Sequence, residues 1–254
     1  MNEERPFYYS AALYDRMVDE KSRRDISFWL EQAKTCRGPV LELFCGTGQI
    51  ARALARGGCD VTGVDISPGL LRVARRKQRG QQGGKAQFVR QDVTDLHQGK
   101  KRFPLIIAPM GSMGHLTTQM ALRRFFRAIQ SVMEPGGVFV FDVPNPMNGM
   151  IHRRPDEKFF VCRYRDPVRK CEALVEETGV YDSRRKLLRA QWRQSFSDGR
   201  LGQIAPLTLR VFPPAEINGL LAAHGCKLLR RIGDYDGSHF RPSSPRQIVF
   251  CRRK

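Results

Sequence analysis

The run Leu41-Glu42-Leu43-Phe44-Cys45-Gly46-Thr47-Gly48-Gln49, with Asp65 lying 17 residues beyond Gly48, constrains this chain more than any other feature. An apolar strand over 40–43 enters two closely spaced glycines, and helical periodicity begins at once in Gln49-Ile50-Ala51-Arg52-Ala53-Leu54. Because Gly46 and Gly48 carry no side chain, a ligand can lie against the turn between them. A second strand, 61–65, ends in Asp65, whose carboxylate can accept from both hydroxyls of a ribose. The layout differs from a dinucleotide fingerprint in two ways: an acid, Glu42, sits inside the end of the first strand, and no third glycine stands at Arg52 to draw helix and strand together for a pyrophosphate. A cofactor with ribose and no phosphates fits this pattern better.

S-adenosylmethionine is such a cofactor, and the sequence here resembles the class I S-adenosylmethionine-dependent methyltransferases, closest to small-molecule N-methyltransferases such as those acting on amino-sugars. The resemblance is close over 39–146 and rests on four motifs in order: residues 40–48, Gly63-Val64-Asp65-Ile66-Ser67, Phe88-Val89-Arg90-Gln91-Asp92-Val93, and Val132-Met133-Glu134-Pro135-Gly136-Gly137 ahead of a strand. It implies a Rossmann-like doubly wound sheet, S-adenosylmethionine as cofactor and S-adenosylhomocysteine as product. Where members of that family commonly carry glycine this chain has Phe44, so the turn is expected to begin at negative φ.

The 254 residues suffice for one sizeable core with an insertion. No apolar stretch approaches a membrane span and the N-terminus lacks a signal-peptide pattern, so a cytoplasmic location without membrane contact is expected. Seven cysteines show neither a paired framework nor a Cys-x-x-Cys spacing, and read as reduced, mostly buried residues. The net charge of +19 comes mainly from 33 arginines against 11 lysines. It is spread over the chain, which reads most simply as a solvated basic surface, but it admits an anionic acceptor and keeps open an RNA- or protein-directed methyltransferase or a non-catalytic partner binding by charge.

Helical spacing over 11–18 and 25–30 places a helical cap in 1–37. Strands over 40–43, 61–65, 86–90, 104–109 and 138–143 alternate with helices, among them one opened by Ser67 and Pro68 and an amphipathic one over 121–133. The fold class expected for 38–146 is therefore α/β, the core of a doubly wound, seven-stranded, mostly parallel sheet. After Pro144-Asn145-Pro146 the pattern changes to four strand-like runs, 159–164, 173–181, 187–196 and 203–212, separated in part by Asp182-Ser183 and Ser197-Asp198-Gly199. These predict a small antiparallel insertion over 147–212, forming an acceptor lid. A helix over 215–224 and strands over 226–232 and 247–252 complete the main sheet within 213–254.

Ligands of an open parallel sheet bind beyond the carboxyl ends of its strands. Glu42, Asp65, Asp92 and Met110 all fall there. Glu42 is expected to hold the methionine ammonium through the glycine turn and water, the backbone of Cys45, Gly46 and Gly48 to pack on the cofactor, and Asp65 to hold the ribose with Ile66 on one adenine face. By family resemblance Asp92 accepts from the adenine amino group and the Val93 backbone contacts the ring. Each carboxylate could instead cap the helix that follows. Tyr14 resembles a tyrosine that stands by the methyl donor in small-molecule N-methyltransferases, the alternative being a residue packed under the cap. His115, past strand 4, is a candidate acceptor-side base or a loop-bridging histidine. Tyr235, Asp236, His239 and Phe240, in the last loop, are candidate acceptor residues or an ordinary hairpin. No His/Asp cluster has metal-ligand spacing, and methyl transfer from a sulfonium needs none.

Overall fold

The computed structural model describes residues 14, 15, 23, 25–79, 83–147 and 149–254. Of the cap helix expected over 11–18, only Tyr14 and Asp15 are among them, and both are helical; the rest of that helix lies outside the described residues. The elements follow the alternation in the sequence: α1 (Asp25–Thr35), β1 (Val40–Leu43), α2 (Gln49–Arg56), β2 (Val61–Asp65), α3 (Pro68–Gln78), β3 (Ala86–Arg90), β4 (Phe103–Ala108), α4 (Gln119–Val132) and β5 (Met133–Pro144). Four strands come next, β6 (Phe159–Arg165), β7 (Glu172–Asp182), β8 (Leu187–Phe196) and β9 (Leu201–Arg210). Helix α5 (Pro214–Ala223) and strands β10 (Cys226–Ile232) and β11 (Arg246–Arg253) close the chain.

The main sheet has the order β10-β11-β5-β4-β1-β2-β3. Strands β1 to β5 are parallel, and β11 is inserted antiparallel between β5 and β10. Strands β6 to β9 form a separate antiparallel sheet. The architecture is a Rossmann-like, seven-stranded, mostly parallel sheet with an antiparallel β insertion after β5.

Both faces of the main sheet are covered, which is why its strands read as nearly continuous apolar runs. Along β1 the side chains alternate: Leu41 and Leu43 join Phe125, Phe139 and Phe141 beneath α4 and α5, while Val40 joins Trp29, Ile50 and Leu54 beneath α1 and α2. The insertion has its own core of Tyr164, Val175, Leu188 and Leu207. Local signals set the helix starts. The Ser67 hydroxyl accepts from Leu70 N with Pro68 in the first turn, and Thr118 caps α4 by accepting from Ala121 N at 3.1 Å.

Two turns at the carboxyl edge depart from ordinary backbone geometry. Phe44 has φ 57°, not the negative value expected, and Met110 has φ 62°. A bulky residue holds a left-handed conformation only where its surroundings over-determine it. Here Cys45 N donates to Val64 O at 3.0 Å while the Phe44 ring packs 6.2 Å from Phe125 and 6.5 Å from His115. Met110 N donates to the buried Asp142 carboxylate at 2.6 Å. Packing on α4 and one buried carboxylate thus supply what a glycine would give for free.

Candidate active site

A cavity of about 620 Å³ opens at the carboxyl edge, where β1, β2, β3 and β4 end and the insertion folds over. Tyr14, Glu42, Cys45, Gly46, Asp65, Ile66, Asp92, Val93, Met110 and His115 all line it. Ile66 and Met110 are 53% and 41% exposed, large apolar side chains presented to the cavity where a ligand could cover them.

Asp65 is the best-organised group. Its Oδ2 accepts from Gly46 N at 2.9 Å and its Oδ1 from Ser67 N at 2.8 Å, so the carboxylate is locked in place by the glycine turn and by the start of α3. Each oxygen keeps a lone pair for a further donor. Burial raises the Asp65 carboxyl, and the amides of Ser67 and Gly46 oppose the rise. Glu42 is more extreme: burial pushes its carboxyl up to about 8, with Arg23 and a backbone hydrogen bond from Ala51 opposing the rise, and its Oε2 has no hydrogen-bond partner among the described residues. A buried acceptor without a partner is costly, so this oxygen is a place for a ligand's donor or cation.

Asp92 is held locally, accepting from Thr94 N at 2.8 Å through Oδ1 in a tight turn. It therefore takes the turn-forming role while also lining the cavity. Tyr14 stands over Gly46: its ring and hydroxyl lie 3.6 to 3.7 Å from where a Cβ on Gly46 would sit, and its hydroxyl points to Met110 Sδ at 3.8 Å. Burial pushes the Tyr14 phenol up to about 12. The neighbouring Asp15 ties the cap to the turn, accepting from Thr47 Oγ1 at 2.6 Å, Gln49 Nε2 at 3.2 Å and Lys77 Nζ at 2.7 Å. Burial lowers the His115 imidazole, partly offset by Asp65, which favours its neutral form.

Five candidates lie elsewhere. Gly48 does not line the cavity. At φ 73° it starts α2, and a Cβ there would meet the Phe88 ring at 2.5 Å, so this glycine serves packing behind the turn. The last loop also stays outside, because β10 lies at the sheet edge, two strands beyond β5. Tyr235 packs against Phe28 and Trp29, with Arg246 4.2 Å over its ring. Asp236 accepts from Ser238 N at 2.9 Å, His239 bridges to Ile232, and Phe240 lies under the Arg231 guanidinium. Tyr235 nonetheless reaches the site indirectly: it hydrogen-bonds Asp142, which is also paired with Arg246 at 3.7 Å and fixes the Met110 turn.

The cavity also contains residues that sequence patterns alone did not single out. Trp192 from β8 and Leu207 and Leu209 from β9 line it together with Thr118, Met120 and Arg124 at the start of α4. A polar residue in the apolar strand Val138-Phe139-Val140-Phe141-Asp142-Val143 was a legible sign of Asp142. Nothing of that kind marked Trp192, because a half-buried tryptophan in an antiparallel strand looks like any core residue.

Residues 40–137, the glycine turn through the start of β5, match the family described as methyltransferase domain. The Bacillus subtilis strain 168 protein YqeM is 29% identical over 133 residues, 52% of this chain and 53% of that protein. The chain spans about half the length of the curated relatives it matches. Solved structures extend the likeness in fold beyond the matched stretch. The CcbJ methyltransferase from Streptomyces caelestis superposes with a TM-score of 0.79 at 24% identity, covering 93% of this chain and 99% of that one. CalS10 from Micromonospora echinaspora, an amino pentose methyltransferase solved with S-adenosylmethionine bound, gives 0.71 at 17%, covering 95% and 97%. The fold shared with both includes the insertion. Among the described residues no helix is long and apolar enough to cross a membrane.

Proposed function

We propose that this protein transfers a methyl group from S-adenosylmethionine to an amine or hydroxyl of a small molecule. The observation that carries the reading is a single cavity. It joins three carboxylates at the ends of the adjacent strands β1, β2 and β3 to His115 and the insertion's Trp192, Leu207 and Leu209.

The cofactor end fits a nucleoside with a cationic tail and no phosphates. Glu42 offers a buried, unpartnered oxygen to an ammonium, Asp65 offers its remaining lone pairs to ribose hydroxyls, and Ile66 offers an apolar face to a purine. Asp92 has a second carboxylate oxygen for the adenine amino group, beside the Val93 backbone. The carboxylates of Asp65 and Asp92, with no cluster of unpaired cations beside them among the described residues, disfavour phosphates at this end. The bound cofactor supplies a methyl already activated on a sulfonium whose leaving group is neutral. What the chain must provide is approach and orientation. His115 accepts the proton that the acceptor's ammonium or hydroxyl gives up, so that the freed lone pair attacks the methyl carbon as the carbon–sulfur bond breaks, while Tyr14, protonated throughout the working range, orients donor and acceptor. The insertion, 147–212, acts as the acceptor lid over the core formed by 38–146 and completed by 213–254, with the cap in 1–37. The seven cysteines, all unpaired, suit the reducing cytoplasm.

Incubating the protein with methyl-labelled S-adenosylmethionine and a cell extract, then separating small molecules from RNA and protein, tests this reading. Label is expected in the small-molecule fraction. Label confined to RNA or protein would contradict it and turn attention to the basic surface.

A further inference from the structure

The acceptor end has a built wall and one uncommitted charge. Trp192 and Glu177 are direct cross-strand partners on β8 and β7, and Trp192 Nε1 donates to Glu177 Oε2 at 2.8 Å. The other oxygen of Glu177 is ion-paired with Arg153, whose guanidinium lies 4.0 Å from the centre of the Phe159 ring. The side chains of this pair are only 5% and 13% exposed. A buried ion pair adds little net stability over an apolar packing of the same volume, but it does fix geometry. Its geometric product here is the orientation of one indole at the cavity wall.

Arg124, on α4, faces the same cavity. Among the described residues it has no ion-pair partner. The cavity's other guanidinium, Arg23, is neutralised by Asp25 beside Gln49. The cavity thus combines acidic side chains at the strand ends, an apolar wall of Trp192, Leu207 and Leu209 from the insertion, and one guanidinium without an ion-pair partner among the described residues.

We infer that the acceptor carries a flat, apolar ring and an anionic substituent, the ring resting on Trp192 and the anion paired with Arg124. The inference rests on the methyl-transfer reading of the cavity and names the class of acceptor it takes. A planar guanidinium pairs with a carboxylate through two parallel hydrogen bonds, which a lysine could not do. An indole face favours a π-system over a saturated ring of similar size.

Three probes separate the two elements: benzoate, benzamide and cyclohexanecarboxylate, each followed by saturation-transfer NMR on the protein saturated with S-adenosylhomocysteine. Benzoate should bind about 10-fold tighter than either of the others, the size expected of one charge-assisted interaction or one stacking contact near 1.4 kcal/mol. In Arg124→Gln, benzoate should fall to the level of benzamide. In Trp192→Leu, it should fall to the level of cyclohexanecarboxylate, with Trp192→Phe keeping the ring preference. Calorimetry with S-adenosylhomocysteine should give the same affinity for all three variants, showing that the cofactor end is intact. Wild type that fails to bind S-adenosylhomocysteine contradicts the methyl-transfer reading. Equal binding of benzoate and benzamide to a wild type that does bind it, or a benzoate preference surviving both substitutions, overturns this inference alone.

Discussion

The two ends of the cavity are held by different means. At the cofactor end the chain's own backbone positions the chemistry: Asp65 is clamped by the amides of Gly46 and Ser67, and Asp92 by the amide of Thr94. At the acceptor end side chains position other side chains, from Phe159 through Arg153 and Glu177 to Trp192. Backbone clamps depend on strand register and on turns, which tolerate changes elsewhere in the chain. Side-chain relays depend on every member, so an end built that way can change its ligand by single substitutions while the cofactor end stays fixed.

The largest effect that would sharpen this contrast concerns His115. Once an acceptor is known, His115→Asn should lower kcat by roughly 10²- to 10⁴-fold if the histidine accepts a proton. Because burial lowers the imidazole below its usual 6.5, the acid limb of the wild-type profile should lie below pH 6.5 and vanish in the variant. Tyr14→Phe should move the whole profile down by a constant factor. An unchanged rate in His115→Asn would remove the histidine from the mechanism.

Next come the two glycines of the turn, which look equivalent in the sequence. Gly48→Ala forces a Cβ into the Phe88 ring and a non-glycine residue into φ 73°. It should cost about 2 to 3 kcal/mol, seen as a thermal midpoint several degrees lower. Gly46→Ala meets only van der Waals contact with Tyr14, at φ 55°. It should cost about 1 kcal/mol of stability and act mainly on cofactor affinity. Equal loss of stability in both would erase the distinction between a packing glycine and a lining one.

This pair also marks what the sequence could and could not convey. Strand ends, caps and the spacing from Gly48 to Asp65 are local, so the carboxyl-edge residues and the seven-stranded sheet could be read directly from the chain. The antiparallel insertion was legible for the same reason, since its strands alternate and are joined by short turns. Which way a glycine faces depends on a ring 40 positions away, and the conformation of Phe44 on aromatic packing against α4. The last loop was expected at the acceptor because its strand exits on the correct edge. Only the strand order, with β11 between β10 and β5, shows Tyr235 to be an indirect support of the Met110 turn.

A smaller effect isolates Glu42. With its carboxyl pushed up to about 8, it is mostly protonated at pH 7, and a ligand ammonium placed against it should expel about one proton. Calorimetry of S-adenosylhomocysteine in phosphate and in Tris reads this directly, and Glu42→Gln should abolish the buffer dependence. The same raised value fixes a sign for stability in the unliganded protein. The favourable contribution is complete below the unfolded carboxyl value near 4.5 and is lost as pH rises through 8. Glu42→Gln should therefore become more stable relative to wild type between pH 5 and pH 9; a constant difference would place the charge elsewhere. The smallest effect tests the independence of the two ends. Replacing 159–212 with a short linker should leave S-adenosylhomocysteine affinity within a few-fold in a variant shown to be folded, and loss of binding there would make the insertion part of the cofactor site.

Whether Asp65 and the glycine turn form a nucleoside site is read by calorimetric titration of S-adenosylhomocysteine into wild type and Asp65→Ala. Wild type should show saturable one-to-one binding, and the variant an affinity at least about 100-fold weaker, because two charge-assisted hydrogen bonds from the ribose are lost. Equal affinity in the two proteins, with the variant's thermal midpoint intact, would contradict it.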